Sequence, residues 1–326
     1  MTGLRARVSK LQGNKRLVVA LELLALAVLI AALCWALKDV WGDAGPRLRH
    51  ADPVEITLAL LALAAYYLVF VIGWIWILAA YGIRLPYRIA LQAEMLSMLA
   101  KYVPGGVWTP AARVVALRRL GIGETPVILA TVLLEAGLSA LAGVGVFVVG
   151  LAFVNGADAP LLPLVAFGIL LCVLLYPPVF RSLASKLLRP FGAENIPALP
   201  ARTALKLIAF YACTWPIGGV ALFFLIRSVG GDPPLSSIAF LGGASAVGAI
   251  VAVLVIFAPS GLGVREASVY GLLLAVCAQG VALGAIVLNR LAITAVEAAL
   301  LFVGALLVRR RRSSKKQLED AKPELA

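Results

Sequence analysis

Acid, histidine and clustered cysteine are scarce in this chain. Its 326 residues hold 16 Asp and Glu against 29 Lys and Arg, with one histidine and four cysteines. A zinc site needs three or four N, S or O ligands brought together, and the lone His50 beside Asp52 does not supply them. Cys34, Cys172, Cys213 and Cys277 each stand alone in apolar runs with no C-x-x-C spacing. They read as small core residues rather than disulfide partners or metal ligands. No Gly-rich Walker loop and no G-x-S-x-G elbow occurs, so neither a cofactor nor a catalytic residue is assigned. Segments of about ten residues with alternating hydropathy, the mark of a membrane barrel, are missing as well.

Apolar residues fill the chain instead. They make up 62% of it, and the mean hydropathy is +1.01, whereas soluble domains sit near 45–50% apolar. A folded chain of this size has too much surface to hide that from water, so its solvent is lipid. Runs near 17–37, 54–80, 126–153, 160–180, 207–227, 236–258, 267–284 and 286–308 approach the roughly 20 residues that span a bilayer. The expectation is an all-α integral membrane protein with about eight transmembrane helices. The first run follows a basic start, but it is long for a signal peptide, and "ALCWALKDV" offers no convincing small-residue cleavage site. It reads as a retained helix.

Cations orient the chain, because cytoplasmic loops carry the excess of Lys and Arg. With the N-terminus inside, 24 of the 29 cations fall on the cytoplasmic side; Lys38, Arg47, Arg49 and Arg227 fall outside, and Arg290 lies within a helix. Both termini are therefore expected in the cytoplasm, and the location is a cytoplasmic membrane. The net charge of +13 is explained without nucleic acid as a partner. "RRRR" at Arg309–Arg312, with Lys315 and Lys316, reads as a stop-transfer anchor or as a contact to the anionic inner leaflet. The polar stretch beyond it is expected to be disordered.

Two segments break the apolar pattern. "KYVPGGVW" holds Lys101, Tyr102, Pro104, Gly105, Gly106 and Trp108, and Arg113 follows. Before it, Leu91, Met95, Met98 and Leu99 form an apolar stripe at helical spacing, with Gln92 and Glu94 on other faces. Such a helix can enter the membrane partway and turn back where Pro removes a donor and Gly permits positive φ. Non-helical backbone at that depth needs protein or a wet cavity around it; the alternative is an interfacial loop with Trp108 in the aromatic belt. The second break, "APSGLGVRE", places Pro259, Ser260, Gly261 and Gly263 ahead of Arg265 and Glu266. Counting four helices per half, each break follows the second helix of its half. That pattern suggests a 4+4 parallel pseudo-repeat with two re-entrant segments, and paired Gly/Pro interruptions point to a transport site.

These two motifs together resemble the family of the lysylphosphatidylglycerol synthase transmembrane region, the flippase-like part of multiple-peptide-resistance proteins and their stand-alone relatives. Tyr102, Pro104, Gly105 and Trp108 match the first motif, with Arg113 as its following cation. Pro259, Gly261, Gly263, Val264, Arg265 and Glu266 match the second, with Ser260 where the family usually has Gly. Glu135 and Arg290 fit positions where the family tends to carry charge. Synthase members add a soluble aminoacyl-transferase domain, and this chain has only eighteen residues after Val308. The resemblance thus implies the lipid-handling half alone, at 17–308, flanked by basic cytoplasmic segments at 1–16 and 309–326.

Charge inside an apolar run is costly and usually faces a cavity or an ion partner. Glu135 lies about ten residues into the third long run, and Arg290 and Glu297 share a face of the last; they read either as structural ion pairs or as cavity lining. Arg113 and Arg265 suit a phosphate, whose oxygens match the planar guanidinium fork. A cationic headgroup would seek Glu135 and Glu297 instead, and Glu266 either pairs with Arg265 or competes with an anion. In "TWPIGG", the residues Trp215, Pro216, Gly218 and Gly219 read as a gate or as plain packing. The functional expectation is a flippase or transporter for a phospholipid, an aminoacyl-lipid or a polyprenyl-phosphate-linked headgroup. Headgroup contacts fall to Lys101, Tyr102, Trp108, Arg113, Glu135, Arg265, Glu266, Arg290 and Glu297. Membrane lipids are the expected partners, alongside a separate synthase or a second copy of the chain. The alternatives are an integral-membrane enzyme or an accessory subunit acting on a lipid-linked substrate.

Overall fold

The computed structural model describes residues 42, 44–100, 108–154, 161–193, 196–255 and 261–320. The run at 17–37, the basic segment 1–16, and Lys101, Tyr102, Pro104, Gly105, Gly106, Pro259 and Ser260 lie outside them. Among the described residues the regular structure is helical, with no strand.

The first long helix, α1 (Pro53–Ala80), starts where Asp52 Oδ1 accepts the Val54 N–H at 2.8 Å and Pro53 takes a position that needs no donor. Two short helices follow, α2 (Tyr87–Ala100) and α3 (Trp108–Arg118), packed on each other as a hairpin. The turn before α4 (Thr125–Leu151) uses Gly121 and Gly123 at positive φ. Next come α5 (Leu161–Leu175) and α6 (Pro177–Leu187), then α7 (Ala201–Ser228) and α8 (Ile238–Leu254). The chain ends with the short α9 (Val264–Leu273) and the long α10 (Gln279–Asp320).

Five helices, α1, α4, α7, part of α10, and α8 with the turn before it, are long and apolar enough to cross a bilayer. The run expected at 160–180 is a bent pair: Leu162–Leu175 and Pro177–Leu187 meet at 77°. Pro177 and Pro178 have no N–H to continue the ladder, and α6 is amphipathic, burying Phe180 and Ala184 while exposing Leu183 and Leu187. The run expected at 267–284 is divided as well. Helix α9 ends at Leu273, and the turn to α10 satisfies itself, with Ala275, Val276 and Cys277 amides bonded to Leu272 and Leu273 carbonyls. Hydropathy does not register a break whose backbone groups are internally paired and whose side chains stay apolar.

Two further expectations change. The backbone of α10 stays helical to Asp320 rather than losing order after Arg312, since Lys, Gln, Leu and Glu are good helix formers. Cys172 and Cys213 face outward, a position that costs a small apolar side chain nothing when the solvent is lipid.

Helices α1, α4, α7 and α8 form the centre, and α10 closes the bundle against α1, α2 and α7. Its basic end holds Arg84, Arg118 and Lys186; the opposite end holds Arg47 and Arg227. There Arg227 Nε reaches Glu55 Oε1 at 2.9 Å and the Asp52 amide bonds the Ser228 carbonyl, stapling α7 to α1. Glycines set the central spacing. A side chain at Gly219 would run into the Ile238 carbonyl and the Gly242 amide, and one at Gly243 would meet the Phe147 backbone. Gly219→Val is therefore expected to lower stability by about 1–3 kcal/mol or more, read as an earlier thermal melt in detergent; an unchanged melt would refute this packing.

The hairpin α2–α3 sits within the bundle. Ala90, Ala93, Glu94, Met95 and Ser97 of α2 and Arg113 and Leu117 of α3 are buried. Met95 and Met98 join the cluster of Leu63 and Tyr67, so α2 reaches the middle of α1. The second break pairs a long α8 with a ten-residue α9. A helix of that length spans only about 15 Å. Gly261 abuts Ala252 near the end of α8, Gly248 abuts Val269 and Arg265, and Leu273 clusters with Phe240 and Leu241, so α9 runs back along α8 toward its start. The two broken segments are built from helices of different length, 14 and 11 residues in α2 and α3 against 17 and 10 in α8 and α9.

Candidate functional site: a mid-bundle cavity between the two broken segments

A cavity of about 200 Å³ is lined by both α2 and α9, among other helices. Helix α1 contributes Leu63, Tyr66, Tyr67 and Phe70, and α2 contributes Glu94 and Met98. Trp215 and Gly218 come from α7, Ser245 and Ala249 from α8, Arg265 from α9, and Asn289 and Ile293 from α10. One broken segment thus supplies a carboxylate and the other a cation to the same space.

Arg265 is the second residue of α9, beyond Gly261 and Gly263, whose φ values are +65° and +84°. A Cβ at Gly261 would strike Ala252, so only glycine lets the chain turn there against α8. Among the described residues Arg265 makes no hydrogen bond or ion pair, and it shares the cavity wall with Tyr66 and Tyr67. Beside it, Glu266 accepts the Gly263 amide at 2.7 Å through Oε2 and Arg290 Nη1 at 3.3 Å through Oε1. Glu266 therefore caps α9 and ties it to α10 instead of pairing with Arg265.

Arg113 occupies a different place from the cavity mouth expected of it. It is buried, with ion pairs to Glu94 and Glu135, and its Nε donates to Ser97 Oγ at 3.3 Å. Its guanidinium lies 4.5 Å from the centre of the Trp74 ring, and Trp74 Nε1 donates to Thr131 Oγ1 at 3.1 Å. The fork that could hold a phosphate is engaged by two carboxylates, so Arg113 acts as a hub joining α1, α2, α3 and α4. Glu135 belongs to that hub. The reading of Glu135 as part of a structural ion pair, left open from the sequence, is the one its contacts match.

Glu297 is buried on α10 and accepts the Tyr67 hydroxyl at 2.6 Å; it meets the cavity through that tyrosine. Trp108 is half exposed at the start of α3, away from the cavity lining. In "TWPIGG" the roles divide. Trp215 lines the cavity and donates its Nε1 to the Ser139 carbonyl at 2.9 Å. Helix α7 runs unbroken through Pro216, Gly219 packs on α8, and Gly218 faces the cavity.

Sequence reasoning did not assign Glu94, Tyr66, Tyr67, Ser245 or Asn289. Glu94 carried a usable signal, although it was placed on another face: three positions after Leu91 and four before Met98, it lies on the apolar stripe of α2 and is buried with it. Nothing local marks Tyr66 or Asn289, whose importance comes from what α7, α8 and α9 bring beside them. No curated protein matches the chain. The family described as the lysylphosphatidylglycerol synthase TM region matches residues 22–300, a span that takes in every residue of the cavity, and the chain belongs to that family.

Proposed function

We propose that this chain is a lipid flippase or lipid-headgroup transporter of a cytoplasmic membrane, with both termini on the cytoplasmic side. Its substrate class is a phosphate-bearing headgroup, carried on a phospholipid, an aminoacyl-lipid or a polyprenyl chain. The observation that carries this reading is Arg265, a cation at mid-bundle depth that lines the cavity from the start of a half-length helix. Discontinuous helices place their ends at transport sites, and since Glu266 already takes the Gly263 amide at the start of α9, the Arg265 guanidinium is the group that offers positive charge to the cavity. Ser245 and Asn289 offer further hydrogen-bonding groups on the same wall. About 200 Å³ is below the roughly 300–1,000 Å³ of small-molecule sites, which suits a headgroup whose chains stay in lipid.

The test is leaflet exchange in liposomes. Chain-labelled lipids with different headgroups are followed with and without the purified protein, and the lipids are weighed afterwards. Faster exchange of an unaltered lipid supports transport. A lipid changed in mass would move the chain to the enzyme class, and exchange no faster than in empty liposomes would remove the transport reading.

A further inference from the structure

We infer that the headgroup this cavity accepts is zwitterionic: a phosphodiester bearing one ammonium on a short chain, of the ethanolamine or choline type. The inference rests on the reading of the cavity as a headgroup site and adds a second pole to it. The first pole is Arg265 with Ser245 and Asn289, as above. The second is aromatic and acidic. Tyr66, Tyr67, Phe70 and Trp215 all line the cavity, and the Tyr66 ring centre lies 5.6, 5.4 and 5.8 Å from those of the other three. Glu94 lines the same space and is buried at 4% exposure.

Ring faces attract cations through their quadrupole, most strongly where water is excluded, and quaternary ammonium groups are held in such aromatic surrounds. Glu94 adds to that attraction, because it and Glu135 share the single guanidinium of Arg113, which does not balance two carboxylates. The two poles are close together, because Arg265, Tyr66 and Glu94 all line one cavity of about 200 Å³. That spacing suits an ammonium a few bonds from its phosphate. A glycerol headgroup would satisfy Arg265 and leave the aromatic and acidic side facing neutral hydroxyls. A dibasic headgroup would bring two ammonium groups to a cavity with one lining carboxylate and a cation of its own.

The experiment uses the full chain in detergent, given equal amounts of phosphatidylethanolamine, phosphatidylcholine, phosphatidylglycerol and lysylphosphatidylglycerol with identical acyl chains. Retained lipids are counted by native mass spectrometry. The expected result is retention of the two zwitterions about tenfold above phosphatidylglycerol. Glu94→Gln should reduce that preference to about threefold or less while phosphatidylglycerol is still held, and Arg265→Gln should lower retention of all four. Because Glu94 also contacts the Arg113 hub, Tyr66→Leu serves as a second variant and should weaken choline retention most. Equal retention, a preference for either of the other lipids, or retention of none overturns the inference. Leaflet exchange decides the transport reading separately: a protein that retains zwitterions and moves none keeps this headgroup class and loses the transport role.

Discussion

Replacing Arg113 with alanine is expected to cost about 3–5 kcal/mol, the penalty for leaving buried charge uncompensated. Two carboxylates, Glu94 and Glu135, converge on this one guanidinium, and all three side chains are buried. Removing it leaves like charges together in a medium that solvates neither. The loss extends beyond the ion pairs, because the guanidinium also stacks on Trp74 and its Nε donates to Ser97. Arg113→Lys is expected to recover only part of the stability, since an ammonium is a point charge without the planar fork that serves two acceptors at once. Thermal melting and the half-life of the folded protein in detergent measure this. A melt for Arg113→Ala within a degree of the parent would show that the hub does not hold the hairpin.

Arg265→Gln is expected to behave in the opposite manner. Among the described residues its guanidinium has no ion pair, so the melt should stay close to that of the parent. Leaflet exchange should fall about 10- to 100-fold, the value of a charge-assisted bond of about 1.5–3 kcal/mol to a phosphate. Arg265→Lys should keep more of the activity, because a single positive charge at that position still meets the anion. Loss of fold in Arg265→Gln, or full exchange activity, would each contradict the assignment. The contrast between the two arginines is the useful part: both follow a break, yet one is consumed by structure and the other faces the cavity.

That contrast also marks how far the sequence could be read. Apolar runs of spanning length located α1, α4, α7, α8 and α10, because burial in lipid requires little beyond length and hydropathy. The glycines of "PSGLGVRE" announced a turn, with positive φ at Gly261 and Gly263 and a close approach to Ala252 at Gly261. Arg113 was legible as important and illegible in role. Its partners lie 19 positions earlier and 22 later, on different helices, and a chain read in one dimension does not show that they converge. The bend at Tyr176 was hidden by an apolar run, although Pro177-Pro178 stood inside it. Tyr66 and Asn289 were invisible for a related reason: each is unremarkable in its own helix and becomes part of a cavity only through the walls opposite it.

Neighbouring glycines on α7 offer the most direct test that headgroups pass through this cavity. A Cβ at Gly219 would collide with α8 backbone, whereas one at Gly218 would meet only the Tyr66 ring edge, at 3.8 Å, on the cavity wall. Gly218→Phe should fill the space between the two broken segments and leave the helix packing in place. The measurement is leaflet exchange by this variant in liposomes, beside its thermal melt. Exchange is expected to fall to the level of empty liposomes with the melt retained. Exchange at the parent rate, in a folded protein with that cavity filled, would contradict it.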